Sequence, residues 1–228
     1  MEPAVQVHEH DMIVIGFGLA GAWAAIAAYD AGLRDVAVVS KVHPLRSHSV
    51  AAQGGIAAAL GNVPLKDGST DSWESHAADT LKSGQGLSDP DVVEIVCREA
   101  PEVIYAYEHM GCHFSRLADG RIAQRPFGGH AAPRAVYAAD RTGLVLLHTL
   151  YEQALARHIR FYEEVVVLRL AGKEGTCEGV LGLELATGSL LGLRAPRTVL
   201  ATGGHARAGS IHTKTPTNTG DGLGMALR

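Results

Sequence analysis

Cysteine is scarce in this sequence. Cys97, Cys112 and Cys177 are odd in number, widely separated and outside any CxxC pair. They therefore predict neither a disulfide framework nor a zinc or iron-sulfur site, and they favour a reducing compartment. Long apolar runs are missing too, because the most apolar stretch, residues 18–33, is interrupted by Asp30 and is too short for a helix that crosses a bilayer.

A strong charge excess and a basic leader are also lacking. The formal net charge is -4 at pH 7, which excludes the basic character expected of a nucleic-acid-binding protein. The first residues, Met1-Glu2-Pro3, carry no basic region, so we expect no signal peptide. The 46% hydrophobic content over 228 residues predicts a soluble globular protein with a substantial core and no direct insertion into a membrane.

Glycine, in contrast, is abundant, and its first cluster lies in a strand–turn–helix–strand pattern. An apolar run at residues 12–15 leads into Gly16-Phe17-Gly18-Leu19-Ala20-Gly21, an Ala-rich helix to about residue 31 and a second apolar run at residues 36–39. Continuous apolar runs are typical of parallel strands covered on both faces. A GxGxxG turn at the start of such a helix lets backbone amides approach a pyrophosphate, so we predict that Gly16, Gly18, Leu19, Ala20 and Gly21 bind a dinucleotide.

The end of the second strand departs from the simplest dinucleotide site. Ser40-Lys41 stands there, whereas an NAD site usually has an acidic residue for the ribose hydroxyls. This counts against a simple NAD dehydrogenase.

The later elements narrow the fold class. Periodicity and caps predict helices at residues 71–82, 90–110 and 142–157, with Asp89 capping the second and Pro101 kinking or splitting it. A hairpin turn is expected at Asp119-Gly120 between residues 114–116 and 121–124. Strand-like segments follow at residues 159–162, 165–170, 180–185, 190–193 and 198–201. The order predicts an α/β fold: a Rossmann-like FAD-binding domain with a parallel sheet and an inserted antiparallel three-stranded meander.

Residues 40–55 are the most informative stretch, Ser-Lys-Val-His-Pro-Leu-Arg-Ser-His-Ser-Val-Ala-Ala-Gln-Gly-Gly. It resembles the flavin-attachment segment of succinate dehydrogenase and fumarate reductase flavoproteins, in which Arg-Ser-His-Thr precedes a Gln-Gly-Gly or Glu-Gly-Gly turn. In that family this His bonds covalently to the flavin 8α-methyl carbon, so the resemblance implies FAD bound covalently through His48. It also implies cofactor contacts by Ser40, Lys41, Arg46, Ser47, Ser49 (the family's usual residue is Thr), Gln53, Gly54 and Gly55. In the alternative, His48 packs near the cofactor without a bond.

The similarity extends over nearly the whole chain. Ala201-Thr202-Gly203 resembles the Ala-Thr-Gly turn of FAD-binding domains, and residues 218–222 match the family's Asn-Thr-Gly-Asp-Gly. The resemblance therefore places Val167, Ala201, Thr202, Gly203 and Asp221 among the FAD contacts. The alternative is that Asp221 simply caps the helix that begins there, and the two roles are compatible. The chain departs from the family at Ala206, where Gly is usual, and at Lys214, where Asn is usual.

The resemblance implies an oxidoreductase subunit that moves a hydride between FAD and a dicarboxylate, interconverting succinate and fumarate. Electrons would pass to an iron-sulfur subunit and a quinone, with membrane anchor subunits holding the complex at the cytoplasmic face of the cell membrane. We expect residues 1–228 to be the N-terminal portion of the FAD-binding domain, without the capping and C-terminal helical domains. The family's proton-donating Arg and dicarboxylate-binding residues match nothing here, so we assign no catalytic residue.

Two alternatives remain for the function. The first is an L-aspartate oxidase-like flavoprotein, which the presence of His48 disfavours, because L-aspartate oxidases have no His at the equivalent position. The second is a non-catalytic FAD-binding fragment.

Two histidine groups are weaker candidates for metal binding. His8-Glu9-His10 lies in a terminus that we expect to fray, and His109 and His113 straddle a helix end. Neither group has plausible third and fourth ligands, so we interpret both as structural and predict no metal site.

Overall fold

The computed structural model describes residues 5–173 and 175–228. In chain order the strands are β1 (Gln6–Glu9), β2 (Met12–Ile15), β3 (Val36–Ser40), β4 (Ile56–Ala57), β5 (Gln124–Arg125), β6 (Ala135–Val136), β7 (Arg160–Glu163), β8 (Val165–Lys173), β9 (Thr176–Glu184), β10 (Leu190–Arg194) and β11 (Thr198–Leu200). The helices are α1 (Leu19–Asp30), α2 (Trp73–Ser83), α3 (Pro90–His109), α4 (Thr142–Ala156) and α5 (Asp221–Ala226). The chain divides into two compact units: the first comprises the chain up to Val50 with Leu150–Arg228, and the second is Ala51–Thr149.

The first unit is built on a parallel sheet with strand order β11-β2-β3-β7. Every residue of β3 is buried, which explains why its sequence is a continuous apolar run rather than an alternating one. Helix α1 buries its small residues Ala22 and Ala25 together with Ile26. The predicted strand–turn–helix–strand pattern is thus present, with boundaries within about one residue of those expected.

A second sheet of the first unit has the order β1-β10-β9-β8. Strands β8, β9 and β10 form the predicted antiparallel meander. The pairing of β8 with β9 continues to Lys173 and Thr176, so β8 extends beyond its predicted end at residue 170 and β9 begins before its predicted start at residue 180. An apolar core joins residues of both sheets, including Ile15, Val39 and Val167, with Met225 of α5.

The expectation that the N-terminal residues fray is wrong. Strand β1 pairs in parallel with β10, because that edge of the meander offers unpaired backbone N–H and C=O groups. His10, which follows β1, is buried. Its Nδ1 lies 2.8 Å from Asp35 Oδ1 and its Nε2 lies 3.0 Å from the Tyr162 hydroxyl. His10 therefore has a structural hydrogen-bonding role.

The second unit contains α2, α3 and a small antiparallel sheet with strand order β4-β6-β5. Helix α2 begins at Trp73, two residues later than predicted, because the Ser72 hydroxyl accepts the Ser75 N–H and caps it. Asp89 caps α3 as predicted, and α3 continues through Pro101 instead of splitting there. The expected hairpin strands around Gly120 are reduced to a single bridge between Arg116 and Ile122.

Helix α4 ends at Ala156, one residue before its predicted end. Among the described residues, no helix combines the length and the apolar character needed to cross a membrane.

Candidate cofactor site

A cavity in the first unit lies where the parallel strands β11, β2 and β3 end. The chain leaves these strands at Ala201, Gly16 and Lys41, and all three residues line the cavity. The carboxyl ends of parallel strands are where open α/β sheets bind ligands, since the loops that follow neighbouring strands converge there.

The glycine-rich turn forms one wall of this cavity through very close backbone packing. A Cβ atom on Gly16, whose φ is +101°, would lie 2.4 Å from the Ala201 carbonyl oxygen. A Cβ on Gly21 would lie 2.0 Å from the Gly16 carbonyl oxygen. Side chains at both positions are therefore excluded, and the turn is held directly against β11 and the start of α1.

Helix α1 begins beside the cavity with a glycine, Gly18, as its N-cap. Glycine offers no side chain to satisfy the free N–H groups of the first turn. The Ser49 hydroxyl accepts a 3.2 Å hydrogen bond from the Leu19 N–H instead. This bond ties the predicted flavin-attachment segment to the helix N-terminus, which carries positive partial charge and favours an anionic ligand.

The attachment segment itself brings two unsatisfied polar atoms to the cavity. Ser47 and His48 both line it, and Ser47 Oγ and His48 Nδ1 are buried without a hydrogen-bond partner. Buried polar atoms are nearly always paired in folded proteins. A polar ligand in this cavity would supply the missing partners, so the site fits a cofactor such as FAD.

An ion pair closes another side of the cavity. Lys41 Nζ lies 2.6 Å from Asp221 Oδ2 and donates a 2.6 Å hydrogen bond to the Thr219 hydroxyl. Burial raises the pKa of the Asp221 carboxyl, but the hydrogen bonds from Lys41 and Thr219 and the charge of Lys41 outweigh it and hold that pKa below its ordinary value. Asp221 therefore stays ionised at neutral pH and neutralises Lys41.

Asp221 does not cap α5. The N-cap is Gly220, in the left-handed conformation with φ +77°, and Asp221 is the first helical residue. The alternative of a purely capping Asp221 is thus wrong, because its carboxylate is directed to Lys41 and Thr219.

Most predicted contacts in the first unit share this one cavity. Its lining includes Gly16, Gly18, Ser40, Lys41, Ser47, His48, Ser49, Val167, Ala201, Thr202, Gly203 and Asp221. Leu19, Ala20 and Gly21 form the adjoining first turn of α1. Arg46 lies in the short 3-10 helix Pro44–Arg46 and is not among the lining residues. Gln53, Gly54 and Gly55 belong to the second unit, where they precede β4.

The sequence reasoning missed several lining residues. They are Ile15, Phe17, Val39, Val42, Val165, Thr217, Asn218 and Met225. The motifs already contained Phe17 and Asn218, so those two were recoverable. The apolar residues carry no local signal that distinguishes a cavity wall from ordinary core. Within residues 5–173 and 175–228, no group of three His, Cys, Asp or Glu side chains is placed to hold a metal ion.

Comparison with known proteins agrees with this geometry. The sequence profile of the family described as FAD binding domain matches residues 11–228. The chain belongs to this family.

Relatives of this FAD-binding chain are considerably longer. It is 46% identical over 229 residues to the succinate dehydrogenase flavoprotein subunit of Rickettsia bellii, covering 97% of this chain and 37% of the relative. The Mycobacterium smegmatis Sdh1 complex in the apo form contains a chain that superposes with a TM-score of 0.92 at 38% identity, covering 98% of this chain and 39% of that one. For E. coli quinol fumarate reductase the TM-score is 0.89 at 38% identity, with 98% and 37% covered. These likenesses confirm the predicted fold class.

Proposed function

We propose that this chain is the FAD-binding part of a succinate dehydrogenase or fumarate reductase flavoprotein subunit and that it holds FAD covalently through His48. The observation that carries the proposal is that His48, with its buried unpaired Nδ1, lines the same cavity as the glycine-rich turn. A dinucleotide whose pyrophosphate lies at the start of α1 would thus share one cavity with a nucleophilic side chain.

The residues of this cavity have separable tasks. Backbone N–H groups at the start of α1 bind the pyrophosphate, and Ser49 fixes the position of that turn. Ser40, buried at the end of β3, takes the place of an acidic ribose partner. Lys41 and Asp221 together present a neutral pair rather than a free charge. When bound, FAD would supply the acceptor for a hydride from the dicarboxylate.

Covalent attachment would join an imidazole nitrogen of His48 to the flavin 8α-methyl carbon. The new bond would replace one imidazole N–H bond and one methyl C–H bond, and a quinone or oxygen would take up the two electrons and two protons that are released. The buried position of Nδ1 without a competing hydrogen bond leaves its ring free to orient toward the cofactor.

The names of the relatives support the proposal of further partners. The chain resembles parts of an Sdh1 complex and of a quinol fumarate reductase. We therefore propose that electrons pass to an iron-sulfur subunit and a quinone, and that membrane anchor subunits hold the complex at the inner face of the membrane. The capping and C-terminal helical domains, with the proton-donating Arg and the dicarboxylate-binding residues, would lie outside residues 1–228.

The complete native protein tests this function directly. We expect a flavin absorption spectrum, malonate-sensitive oxidation of succinate in a dye-linked assay, and no appreciable NADH affinity, because Ser40 replaces the acidic ribose partner. Isothermal titration calorimetry with NADH serves as the second measurement. Tight NADH binding, or a purified protein without flavin, would contradict the proposal.

The Lys41–Asp221 pair predicts a measurable contribution to cofactor affinity. In a His48→Ala background, where FAD binding is reversible, Lys41→Met and Asp221→Asn should each weaken FAD binding about fivefold. The reason is that a partly exposed ion pair contributes about 1 kcal/mol. Fluorescence titration with FAD measures the dissociation constants.

The double variant decides how the two residues act. If they act as one pair, Lys41→Met/Asp221→Asn should bind FAD no more weakly than either single variant. Additive losses would mean that each side chain contacts FAD independently. Asp30→Asn is a matched control, because Asp30 forms a similarly exposed pair with Arg157 at the far end of α1.

A further inference from the structure

The connection between β5 and β6, residues 126–134, is attached to α2 by polar contacts within the second unit. The Ala131 N–H donates a 2.7 Å hydrogen bond to Asp79 Oδ2 on α2. Arg134, the last residue of the connection, donates 2.9 Å hydrogen bonds to both carboxylate oxygens of Asp71, which lies two residues before α2. The attachment therefore depends on one cation and two carboxylates.

These charged groups are shielded from water. The side chain of Arg134 is 0% exposed, that of Asp71 is 1% exposed and that of Asp79 is 18% exposed. Buried charges are screened by salt and solvated by water much less than surface charges are. A second positive charge placed beside Arg134 would therefore be strongly unfavourable.

Two imidazole rings occupy positions where such a charge would arise. His76 is buried on α2, and His130 is a half-buried residue of the connection. In each ring Nδ1 is buried and has no hydrogen-bond partner among the described residues. A protonated imidazole carries an N–H on both ring nitrogens. Protonation would thus bury a donor that has no acceptor, in addition to a positive charge.

The surroundings of both rings favour the neutral form. Burial is the largest cause that holds the pKa of His76 and His130 below the ordinary value of 6.5, and the charge of Arg134 lowers it further. For His76 the charge of His130 acts in the same direction. The carboxylates of Asp71 and Asp79 act in the opposite direction without reversing the shift of either pKa.

We propose that His76 and His130 form an acid-sensitive latch: their neutral rings allow residues 126–134 to stay attached to α2, and protonation of either ring releases the connection. Helix α2 remains held by α3, on which it packs. The latch lies entirely within the second unit and is independent of cofactor binding. A Cβ on Gly54 would lie 2.8 Å from the Phe127 ring of the connection, so release also uncovers Gly54.

The direction of the pH effect follows from the protons bound in each state. When the connection leaves α2, water reaches both rings and the pKa of each returns toward its ordinary value. The detached state then binds more protons than the attached state, so the attachment is fully present above about pH 7 and is lost as the pH falls below about 6.5. The equilibrium constant for detachment should rise up to about tenfold per pH unit for each histidine.

Hydrogen exchange of the complete protein, followed by mass spectrometry at about pH 7.5 and about pH 5.5, tests the latch on both sides of the ordinary histidine pKa. After correction for the pH dependence of intrinsic exchange, peptides from residues 126–134 should lose protection at the lower pH, whereas peptides from α3 should keep theirs. In the double variant His76→Gln/His130→Gln neither side chain can gain a charge, so protection of residues 126–134 should be the same at both pH values.

His113→Gln is the matched control, because His113 is an exposed histidine of the same unit and its removal should leave the wild-type pH dependence unchanged. The latch is refuted if wild-type residues 126–134 are equally protected at both pH values, or if the double variant loses protection as the wild type does. An equal loss in α3 would mean that the whole unit unfolds, and it would also refute the latch. If the double variant does not fold, the single variants His76→Gln and His130→Gln decide, since each should show a smaller loss than the wild type.

Discussion

Replacement of His48 by alanine should abolish covalently bound flavin completely. The attachment needs a nucleophile at this position, which the His48 imidazole provides and an alanine side chain does not. After denaturation in acid and electrophoresis, the wild-type band should retain flavin fluorescence and the variant band should have none. Before denaturation the variant should still bind FAD, because the glycine-rich turn, Ser49 and the start of α1 are unchanged.

Two control variants sharpen this experiment. His43→Ala removes a neighbouring histidine of the same segment that is partly exposed and contacts Leu45 and Glu163, so covalent flavin should persist. Ser49→Thr keeps the hydroxyl that accepts the Leu19 N–H and should also retain it. Complete release of flavin from denatured wild-type protein would contradict attachment through His48.

The parts of the cofactor cavity that short, contiguous sequence motifs encode were predictable from the sequence. The apolar runs of β2 and β3, the glycine turn and the Ala-rich start of α1 occupy one short stretch, so each local preference supports the same conclusion. His48 was found in the same way, from a contiguous motif. Its buried and unpaired Nδ1 adds a physical reason that the motif alone could not contain.

Features that depend on distant pairing were missed or misread. Gln6–Glu9 is mostly polar, and only the free edge of β10 makes it a strand. For Asp221 the sequence offered a helix cap as the alternative to a cofactor contact, because caps are local, whereas its partner Lys41 is 180 residues away in sequence. Arg125 likewise donates hydrogen bonds to the carbonyl oxygens of Gln53 and Gly54, which lie more than 70 residues earlier in the sequence. Neither hydrophobic periodicity nor motif spacing predicts contacts between residues so far apart in sequence.

Arg134 is the clearest feature of this kind, and it predicts the largest effect on stability. Its side chain is fully buried and forms a two-point contact with Asp71, with Nε–Oδ2 and Nη2–Oδ1 distances of 2.9 Å. Its Nη1 lies 3.0 Å from Asp79 Oδ2, at angles outside hydrogen-bond geometry.

Two histidines lie near this ion pair. Burial lowers the pKa of the His76 and His130 imidazoles, and the charge of Arg134 lowers both further. These histidines therefore stay neutral at pH 7 and do not compete for the carboxylates.

Arg134→Met should destabilise the second unit by about 3–5 kcal/mol, because removing one member of a buried ion pair leaves the other charge without compensation. For a chain of this size that corresponds to a fall in melting temperature of about 6–20 °C. Thermal unfolding gives the magnitude. Hydrogen exchange locates it, since protection should be lost in residues 51–149 before the first unit is affected.

The double variant Arg134→Met/Asp71→Leu separates the cost of an unpaired charge from the net contribution of the pair. Two apolar side chains of similar size need no compensation, so the double variant should recover most of the loss seen in Arg134→Met. Arg98→Ala is the control, because Arg98 forms an exposed pair with Glu94 on α3 and its removal should change the free energy of unfolding by less than about 0.5 kcal/mol. A free energy of unfolding of Arg134→Met within about 1 kcal/mol of the wild-type value would show that the Arg134–Asp71 pair does not stabilise the second unit as proposed.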